Sequence, residues 1–389
     1  MLPMNQLHIP NKLVPCVERH ASNYQPNRPV GERGSGRARL SLGRSLALPT
    51  LTILLFSFTN AFLACPVWSQ DKVFPLSGIG VTGKIIERTK DKVVIEVRGA
   101  NQSFDTHQIA RVVFDGEPQQ LSRAKDNIVL GQLDDAIAEF QKIPVAGLKS
   151  EDIKQDYQFY KGYLLALNAL RGKGDAAAAS KLLLDWVVLN KTSHLFYRAS
   201  ETLGELAMAT GTPAKAAGYF GVLAASSFPE LKVKGSYLTG KAFLANKQIP
   251  EAKSKFETVV KAQVADMESL KFKKLASLSL VRCDASDGKS PQAVAALEKM
   301  VDEGDSTDAE LYSELFNALG GIFRAAGNNE EAILAFLKTD LLYASEPDAH
   351  AEALYNLFQL WTLIGESQRA TETKSRLSKL YPTSPWLKK

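Results

Sequence analysis

Three histidines are the side chains of this sequence best suited to acid–base chemistry or metal binding. His107, His194 and His350 lie in separate segments, and none of them has a cysteine or carboxylate at the spacing of known metal motifs. We therefore expect surface or capping roles for these histidines. We expect neither a metal site nor a catalytic residue.

Adjacent acids are the second kind of residue that could do chemistry. Asp134-Asp135 and Glu330-Glu331 each fall where a helix is predicted to begin, and acids there favour the positive end of the helix dipole. The segment Asp115–Pro118 is expected to be a turn. The sequence has no phosphate-binding loop of the P-loop type and no Gly-x-Ser-x-Gly elbow. We therefore expect a protein that is not an enzyme and uses no cofactor.

The cysteines leave little room for a disulfide framework. Of the three, Cys16 and Cys65 precede residue 70, so Cys283 would be the single cysteine of a processed chain. One thiol can form neither an intramolecular disulfide nor a cysteine-based zinc site. Because Cys283 follows the apolar-rich segment Leu275–Val281, we expect a buried, inert thiol.

Residues 1–69 have the composition of a leader that carries an export signal or a membrane anchor. The whole chain has a net charge of +5, from 47 Lys and Arg against 42 Asp and Glu, and the leader holds seven of these basic residues but two of the acidic ones. Within it, Arg37, Arg39 and Arg44 precede the apolar run Leu46–Val67. The remainder of the chain is neutral, so we expect no nucleic-acid partner.

The sequence is compatible with three outcomes for the leader: cleavage, lipidation or retention as an anchor. Small residues at Val67 and Ser69 suit cleavage that would release a chain starting near Gln70. The segment Phe62–Cys65 resembles a lipoprotein box, with Phe62 where Leu is usual, and would make Cys65 a lipidation site. Retention would leave one anchor, because the apolar run approaches the ~20 residues that span a bilayer. In each case we expect an exported protein, periplasmic or envelope-associated, that meets the membrane only through the leader.

Residues 75–118 show the pattern of a small β unit. Three runs rich in β-branched residues, Lys84–Glu87, Val93–Val97 and Ile109–Phe114, are separated by turn residues. They predict an antiparallel unit of three to five strands. Because fewer than about 45 residues are marginal for independent stability, we expect the unit to dock onto the first helices or to curl into a small SH3-like or Sm-like barrel.

Residues 119–389 show helical periodicity and an internal repeat. An alanine recurs at intervals near 40 residues, as Ala136, Ala179, Ala216, Ala252, Ala293, Ala332 and Ala370. Four residues after most of these stands a large apolar side chain, and five residues before most of them stands a glycine suited to a helix-ending turn. The exceptions are Lys374 for the large side chain and Lys247 for the glycine.

This pattern resembles the tetratricopeptide repeat family. Gly204, Gly211, Ala216 and Phe220 fit the family motif, and so do the later residues Gly320, Gly327, Ala332 and Phe336. The resemblance covers Gln119 to about Pro382 and implies an α-α superhelical solenoid of about seven helix pairs. The spacing exceeds the family's usual ~34 residues, and the repeats near Ala179 and Ala293 carry insertions.

Function in such a solenoid is expected on the concave face, which the first helix of each pair lines. Counting from the motif glycines places six residues there, whose aromatic, amide and cationic groups suit an extended peptide or a partner helix: Tyr237, Lys241, Asn317, Arg324, Tyr355 and Gln359. We therefore expect a non-enzymatic scaffold or adaptor of the bacterial periplasm or cell envelope that binds a protein or peptide.

A second function stays open on the sequence alone. In this alternative the chain is an enzyme or ligand sensor, in which the small β unit binds a small molecule and the repeats recruit a partner. Deletion of the β unit would distinguish the two, because the scaffold would keep its partner.

Overall fold

The computed structural model describes residues 70–286 and 290–388. The expectations for the leader, including Cys16 and Cys65, and for the turn glycine Gly288 fall outside these residues. The described chain begins with a five-stranded sheet and continues through fourteen α-helices.

The sheet is antiparallel throughout, in the order β4-β3-β2-β1-β5. Its strands are β1 (Asp71–Pro75), β2 (Val81–Arg88), β3 (Lys92–Val97), β4 (Ala100–Asp105) and β5 (Ile109–Val113). Strand β2 serves both halves of the sheet, because its first residues pair with β1 and its later residues pair with β3. The prediction of a small antiparallel unit ahead of the helices is confirmed.

Two of these strands, β1 and β4, were not predicted. Strand β1 begins at Asp71, which is earlier than the boundary at residue 75 expected from the sequence. Strand β4 contains no β-branched residue, so the sequence pattern gives no signal for it. It is held to β3 by a two-residue turn at Arg98 and Gly99, which have φ of 53° and 82°. Positive φ at both positions is typical of a type I′ hairpin.

The helices form seven antiparallel pairs within the described residues, and the first begins at Gln119 as expected. Their bounds are α1 (Gln119–Val129), α2 (Leu133–Gln141), α3 (Glu151–Leu170), α4 (Ala176–Leu189), α5 (Phe196–Ala209), α6 (Pro213–Ala224), α7 (Pro229–Ala245), α8 (Ile249–Lys261), α9 (Met267–Ser286), α10 (Ser290–Glu303), α11 (Ala309–Ala325), α12 (Asn329–Leu342), α13 (Pro347–Leu363) and α14 (Ser367–Leu380). The two repeats with insertions have the longest first helices, since α3 and α9 each contain 20 residues. Both acidic pairs lie in the first turns of α2 and α12, as expected.

The repeated small and large residues make the contact within each helix pair. All seven motif alanines are buried. A Cβ added to Gly320 would lie 2.8 Å from the Phe336 ring, and one added to Gly240 would lie 2.6 Å from the Phe256 ring. Glycine in the first helix therefore makes room for the aromatic ring of the second. The solenoid of helix pairs expected from the tetratricopeptide resemblance is confirmed at the level of the fold.

Lys247 has the left-handed backbone conformation that glycine has in five other described turns, at Gly131, Gly174, Gly211, Gly327 and Gly365. Its φ is 61°, close to the 73° of Gly211 at the equivalent position. A non-glycine residue in this left-handed conformation carries a backbone cost. Lys247 therefore departs from the glycine pattern of the sequence, but the backbone makes the same turn there.

The odd-numbered helices from α7 to α13 form one layer of the solenoid. Helix α3 packs on α5, and α7, α9, α11 and α13 pack on one another in succession. The even-numbered helices pack mainly against the helices that precede and follow them in the chain. We use the term inner layer for one surface of these odd-numbered helices. It is the surface that faces away from the even-numbered helices.

The sheet shares one hydrophobic core with the first helices. Val93 and Ile95 of the sheet belong to the same buried cluster as Leu121 of α1 and Phe159 of α3. The outer edge of β5 is also covered, because Arg198 of α5 donates hydrogen bonds to the carbonyl oxygens of Ile109 and Ala110 at 3.0 and 3.2 Å. The structure shows the expected docking of the β unit onto the helices.

A buried cluster of charged side chains links the sheet to α1 and α3. The Lys125 ammonium donates hydrogen bonds to the Val112 carbonyl oxygen at 2.9 Å, to Glu117 at 2.7 Å and to Asp156 at 2.8 Å. The three charged side chains are at most 1% exposed. Burial raises the pKa of Glu117, although the Lys125 charge opposes this. We call Glu117, Lys125 and Asp156 the junction triad.

His194 predicts a specific pH dependence of stability. Burial, followed by the positive charges of Arg88, Lys125 and Arg198, holds its pKa well below the ordinary 6.5. In the unfolded chain His194 takes up a proton near pH 6.5, whereas in the folded chain it stays neutral at lower pH. The unfolded state then binds more protons, so stability falls as the pH falls below about 6.5, by up to ~1.4 kcal/mol per pH unit from this residue.

Urea denaturation of wild type and His194→Gln at about pH 7.5 and about pH 5.5 checks this. The loss of unfolding free energy on acidification should be smaller in the variant by ~1 kcal/mol or more. An identical loss in both proteins would contradict the assignment.

Candidate functional site

Charged side chains of the inner layer pair across the odd-numbered helices. The Lys241 ammonium on α7 lies 3.4 Å from Glu314 on α11. The Arg282 guanidinium on α9 lies 2.9 Å from Glu314 and 3.2 Å from Glu352 on α13. We call these four residues the inner-layer network.

The network shows that the inner layer is concave. The Lys241–Glu314 pair joins α7 to α11, which are separated by α9 in this layer. The Arg282–Glu352 pair joins α9 to α13, which are separated by α11. Side chains two repeats apart can meet only if the layer curves toward itself. Burial alone would raise the pKa of Glu314, but Lys241 and Arg282 lower it below the ordinary value.

The network stays partly open to solvent. The side chains of Lys241 and Arg282 are 38% and 28% exposed, and those of Glu314 and Glu352 are 15% exposed. The two cations are therefore the members of the network that a partner reaches most readily, whereas the two carboxylates lie mostly out of solvent.

Two of the six residues expected to face outward do not. Tyr237 is 4% exposed, and its ring lies 5.3 Å from Phe272 of α9, which turns it into the core. Asn317 is 1% exposed and donates a hydrogen bond to the Ala349 carbonyl oxygen on α13 at 2.8 Å. The expectation is wrong for both because neighbouring odd-numbered helices pack closely enough to cover this position.

The other four residues keep some exposure. Lys241 joins the network, and Arg324 donates a hydrogen bond to the Asn356 amide oxygen on α13 at 2.5 Å. The Tyr355 ring lies 5.3 Å from Trp386 of the short 3-10 helix Pro385–Lys388, so the C-terminal segment already contacts it. Gln359 is partly exposed one turn further along α13. The six residues lie along one layer and do not converge on a pocket.

Sequence reasoning missed Arg282, Glu314 and Glu352. A signal for two of them was present, because Glu314 and Glu352 stand 13 residues before the turn glycines Gly327 and Gly365. An acid at the same repeat position in successive pairs falls on the same face of successive first helices. A similar signal was present for Arg282, because it stands six residues before Gly288, as Lys241 stands six residues before Lys247.

Acidic charge dominates at α5. Glu201 pairs with Lys234 of α7 at 2.8 Å, whereas Glu205 lies one turn further along the same helix. Burial, followed by the Glu201 carboxylate, raises the pKa of Glu205 to about 7. A cation from a partner would stabilise the ionised form of Glu205.

His350 is buried rather than on the surface, contrary to expectation. It is 2% exposed, and its ring nitrogens lie 2.7 Å from Asp340 and 2.7 Å from the Tyr381 hydroxyl. Arg376 also bonds to Asp340. Burial alone would raise the pKa of Asp340, but His350 and Arg376 lower it to about 2. These contacts link α12, α13 and α14, which indicates a structural role for His350.

His194 is likewise buried, at 6% exposed, because the docked sheet covers the loop that precedes α5. The buried position expected for Cys283 is confirmed, since it is 0% exposed.

Among the described side chains, no three His, Cys, Asp or Glu groups stand where together they could ligate a metal ion. Within the same residues, none of the helices combines the length and the apolar character that crossing a bilayer requires.

Solved structures with similar folds include three proteins. A tetratricopeptide repeat protein from Parabacteroides merdae ATCC 43184 is 15% identical over 68% of this chain and 92% of its own, with a TM-score of 0.48. PilW, described as a widely conserved type IV pilus biogenesis factor, is 15% identical over 69% of this chain and 95% of its own, with a TM-score of 0.33. YrrB, described as a TPR protein with an unusual peptide-binding site, is 16% identical over 52% and 94%, with a TM-score of 0.26.

With TM-scores below 0.5, these similarities do not indicate a shared function. No protein-family model matches this chain, and no curated protein matches it.

Proposed function

We propose that this chain is a non-enzymatic protein–protein interaction scaffold or adaptor of the bacterial periplasm or cell envelope. It binds a segment of a protein or peptide along the concave inner layer. The observation that carries this proposal is the pairing of Lys241 with Glu314 and of Arg282 with Glu352, which bridges helices two repeats apart. Such a concave, charged surface offers more contact to an extended segment than a flat one.

The inner layer favours a partner with charges of both signs. The network contains two cations and two carboxylates, and charged groups of a bound segment could form ion pairs with them. Glu205 offers a carboxylate that a basic side chain would stabilise. Charge matching of this kind mainly sets specificity and association rate.

The location is proposed on the leader alone, because its basic flank and apolar run are typical of an export signal. The mass and N-terminal sequence of the protein isolated from its native envelope distinguish its fates. A start near Gln70 supports signal cleavage, a lipid-modified Cys65 supports a lipoprotein, and an intact leader supports an anchor. Recovery of the protein from the cytosol alone would contradict export.

Charge reversal on the inner layer tests the function. The full chain is used to capture crosslinked partners from the native envelope fraction, in parallel with the double variant Lys241→Glu, Arg324→Glu. We expect the double variant to lose about tenfold or more of the captured partner, because two cation contacts are replaced by repulsion.

A matched control is Lys299→Glu on α10, whose side chain is 71% exposed on an even-numbered helix. It should capture as wild type does, and circular dichroism should show all variants folded. Equal capture by wild type and the double variant would contradict inner-layer binding.

A further inference from the structure

A cavity of about 220 Å³ lies where the sheet meets the solenoid. Its wall is formed by the 3-10 helix Thr106–Gln108, strand β5, the loop before α5, and the facing parts of α5, α7 and α9. We call it the junction cavity. It is separate from the network that links α7 to α13, and the scaffold function does not use it.

Two imidazoles in its wall have unused hydrogen-bonding capacity. His194 is 6% exposed, and the His107 side chain is 12% exposed. The Nδ1 atoms of both are buried, and no described group bonds to either. An imidazole nitrogen takes part in a hydrogen bond as donor or acceptor. Buried polar atoms of this kind are generally paired, so two unpaired nitrogens in the wall of one cavity are unusual.

The cavity wall also contains the Arg198 guanidinium, which makes no direct ion pair with a carboxylate in the described residues, although Glu201 of the same helix lines the cavity too. The Arg198 guanidinium bonds to the carbonyl oxygens of Ile109 and Ala110, which satisfies two of its donors but leaves its charge. A guanidinium has five donors. Arg198 can therefore still bind an anion such as a carboxylate.

Negative charge lies at α7 and α9. The Glu230 carboxylate is 42% exposed, and the Nε2 atom of His107 lies 3.8 Å from it. Lys234 is shared between Glu201 at 2.8 Å and Glu268 at 3.4 Å, so these three groups carry one excess negative charge. The cavity thus presents a cation from α5 that is bonded to β5, and acids from α5, α7 and α9.

We infer that the junction cavity binds a free amino acid, with its carboxylate at Arg198, its ammonium at Glu230, and the two histidines hydrogen-bonded to its polar groups. A zwitterion satisfies both charged regions at once, whereas an anion or a cation would satisfy one and face the other. The volume suits a molecule of this size rather than a drug-sized ligand, whose pockets are typically ~300–1,000 Å³.

Isothermal titration of the full chain with the standard L-amino acids tests this inference. We expect at least one to bind saturably, and its N-acetyl and methyl ester derivatives to bind about tenfold more weakly or worse, since each lacks one charge. Glu230→Gln should weaken binding of the amino acid similarly. Glu331→Gln, an exposed change on α12, should leave it unchanged.

Three results would overturn the inference: no amino acid binds saturably, the N-acetyl derivative binds as well as the parent, or Glu230→Gln binds as wild type does. A preference for the methyl ester or for an amidated dipeptide would assign the cavity to a peptide N-terminus instead of a free amino acid. Partner capture by the inner layer is measured separately, so either proposal can fail alone.

Discussion

Replacing Lys125 with Met is expected to lower the free energy of unfolding by about 3–5 kcal/mol. The side chain is 0% exposed and compensates two buried carboxylates of the junction triad. Met fills a similar volume, so the loss comes from leaving the buried Glu117 without its cation and Asp156 with Arg88 alone, whose guanidinium lies 3.9 Å away. The sheet should separate from α1 and α3 first, because the triad joins these elements.

Urea denaturation followed by circular dichroism measures this effect. The matched control is Lys154→Met on α3, because the pair that Lys154 makes with Glu151 is exposed. That control should change stability by at most ~0.5 kcal/mol. If Lys125→Met does not fold, the triple change Lys125→Met, Glu117→Gln, Asp156→Leu should restore much of the lost stability, since it removes the buried charges together. A loss below about 1 kcal/mol for Lys125→Met would contradict the role of the triad.

Changing Gly235 to Ala is expected to cost about 3 kcal/mol, near the upper end of the range for overpacked cores. The added Cβ would overlap the Ala224 backbone nitrogen and would lie 2.6 Å from the Leu223 carbonyl carbon. These are backbone atoms of α6, so no side-chain rotation can relieve the clash. Helix α7 would have to move away from α6, which would also displace Tyr237 and Lys241 on the inner layer.

Gly221→Ala on α6 is the matched control, because a Cβ there meets nothing within 4 Å. It should stabilise the protein by up to ~1 kcal/mol, since Ala favours a helix over Gly. Thermal and urea unfolding of the two variants should therefore shift in opposite directions. A Gly235→Ala variant as stable as wild type would show that α6 and α7 are not packed this closely.

The sequence predicted the solenoid well because its packing depends on local spacing. Gly320 and Phe336 are 16 residues apart in one helix pair, so a motif read along the chain captures their contact. Strand β4 escaped prediction because its polar residues ANQSFD carry no strand pattern. Its pairing is set by the turn at Arg98 and Gly99 instead.

The charged contacts were not predicted because they join residues far apart in the chain. Lys125 and Asp156 are separated by 31 residues, and Arg282 and Glu352 by 70. The available hint was the position of Lys125 on the same helix face as the buried Leu121. A lysine in an apolar stripe requires a buried partner, but its identity depends on the tertiary fold.

The inner-layer assignment was partly wrong for the same reason. Residue spacing placed Tyr237 and Lys241 on one face, but how far neighbouring helices cover that face depends on their packing. Phe272 of α9 covers Tyr237 and leaves Lys241 partly open. The exposed binding surface is therefore narrower than the helix face that spacing alone defines.

The most direct test of the scaffold proposal is site-specific photo-crosslinking in the native envelope. A photoreactive residue is placed in the full chain at Gln359 on the inner layer, or at Lys299 on α10. The account predicts that the same protein partner is crosslinked from Gln359 and not from Lys299. Crosslinking of that partner from Lys299 with none from Gln359 would contradict binding on the inner layer.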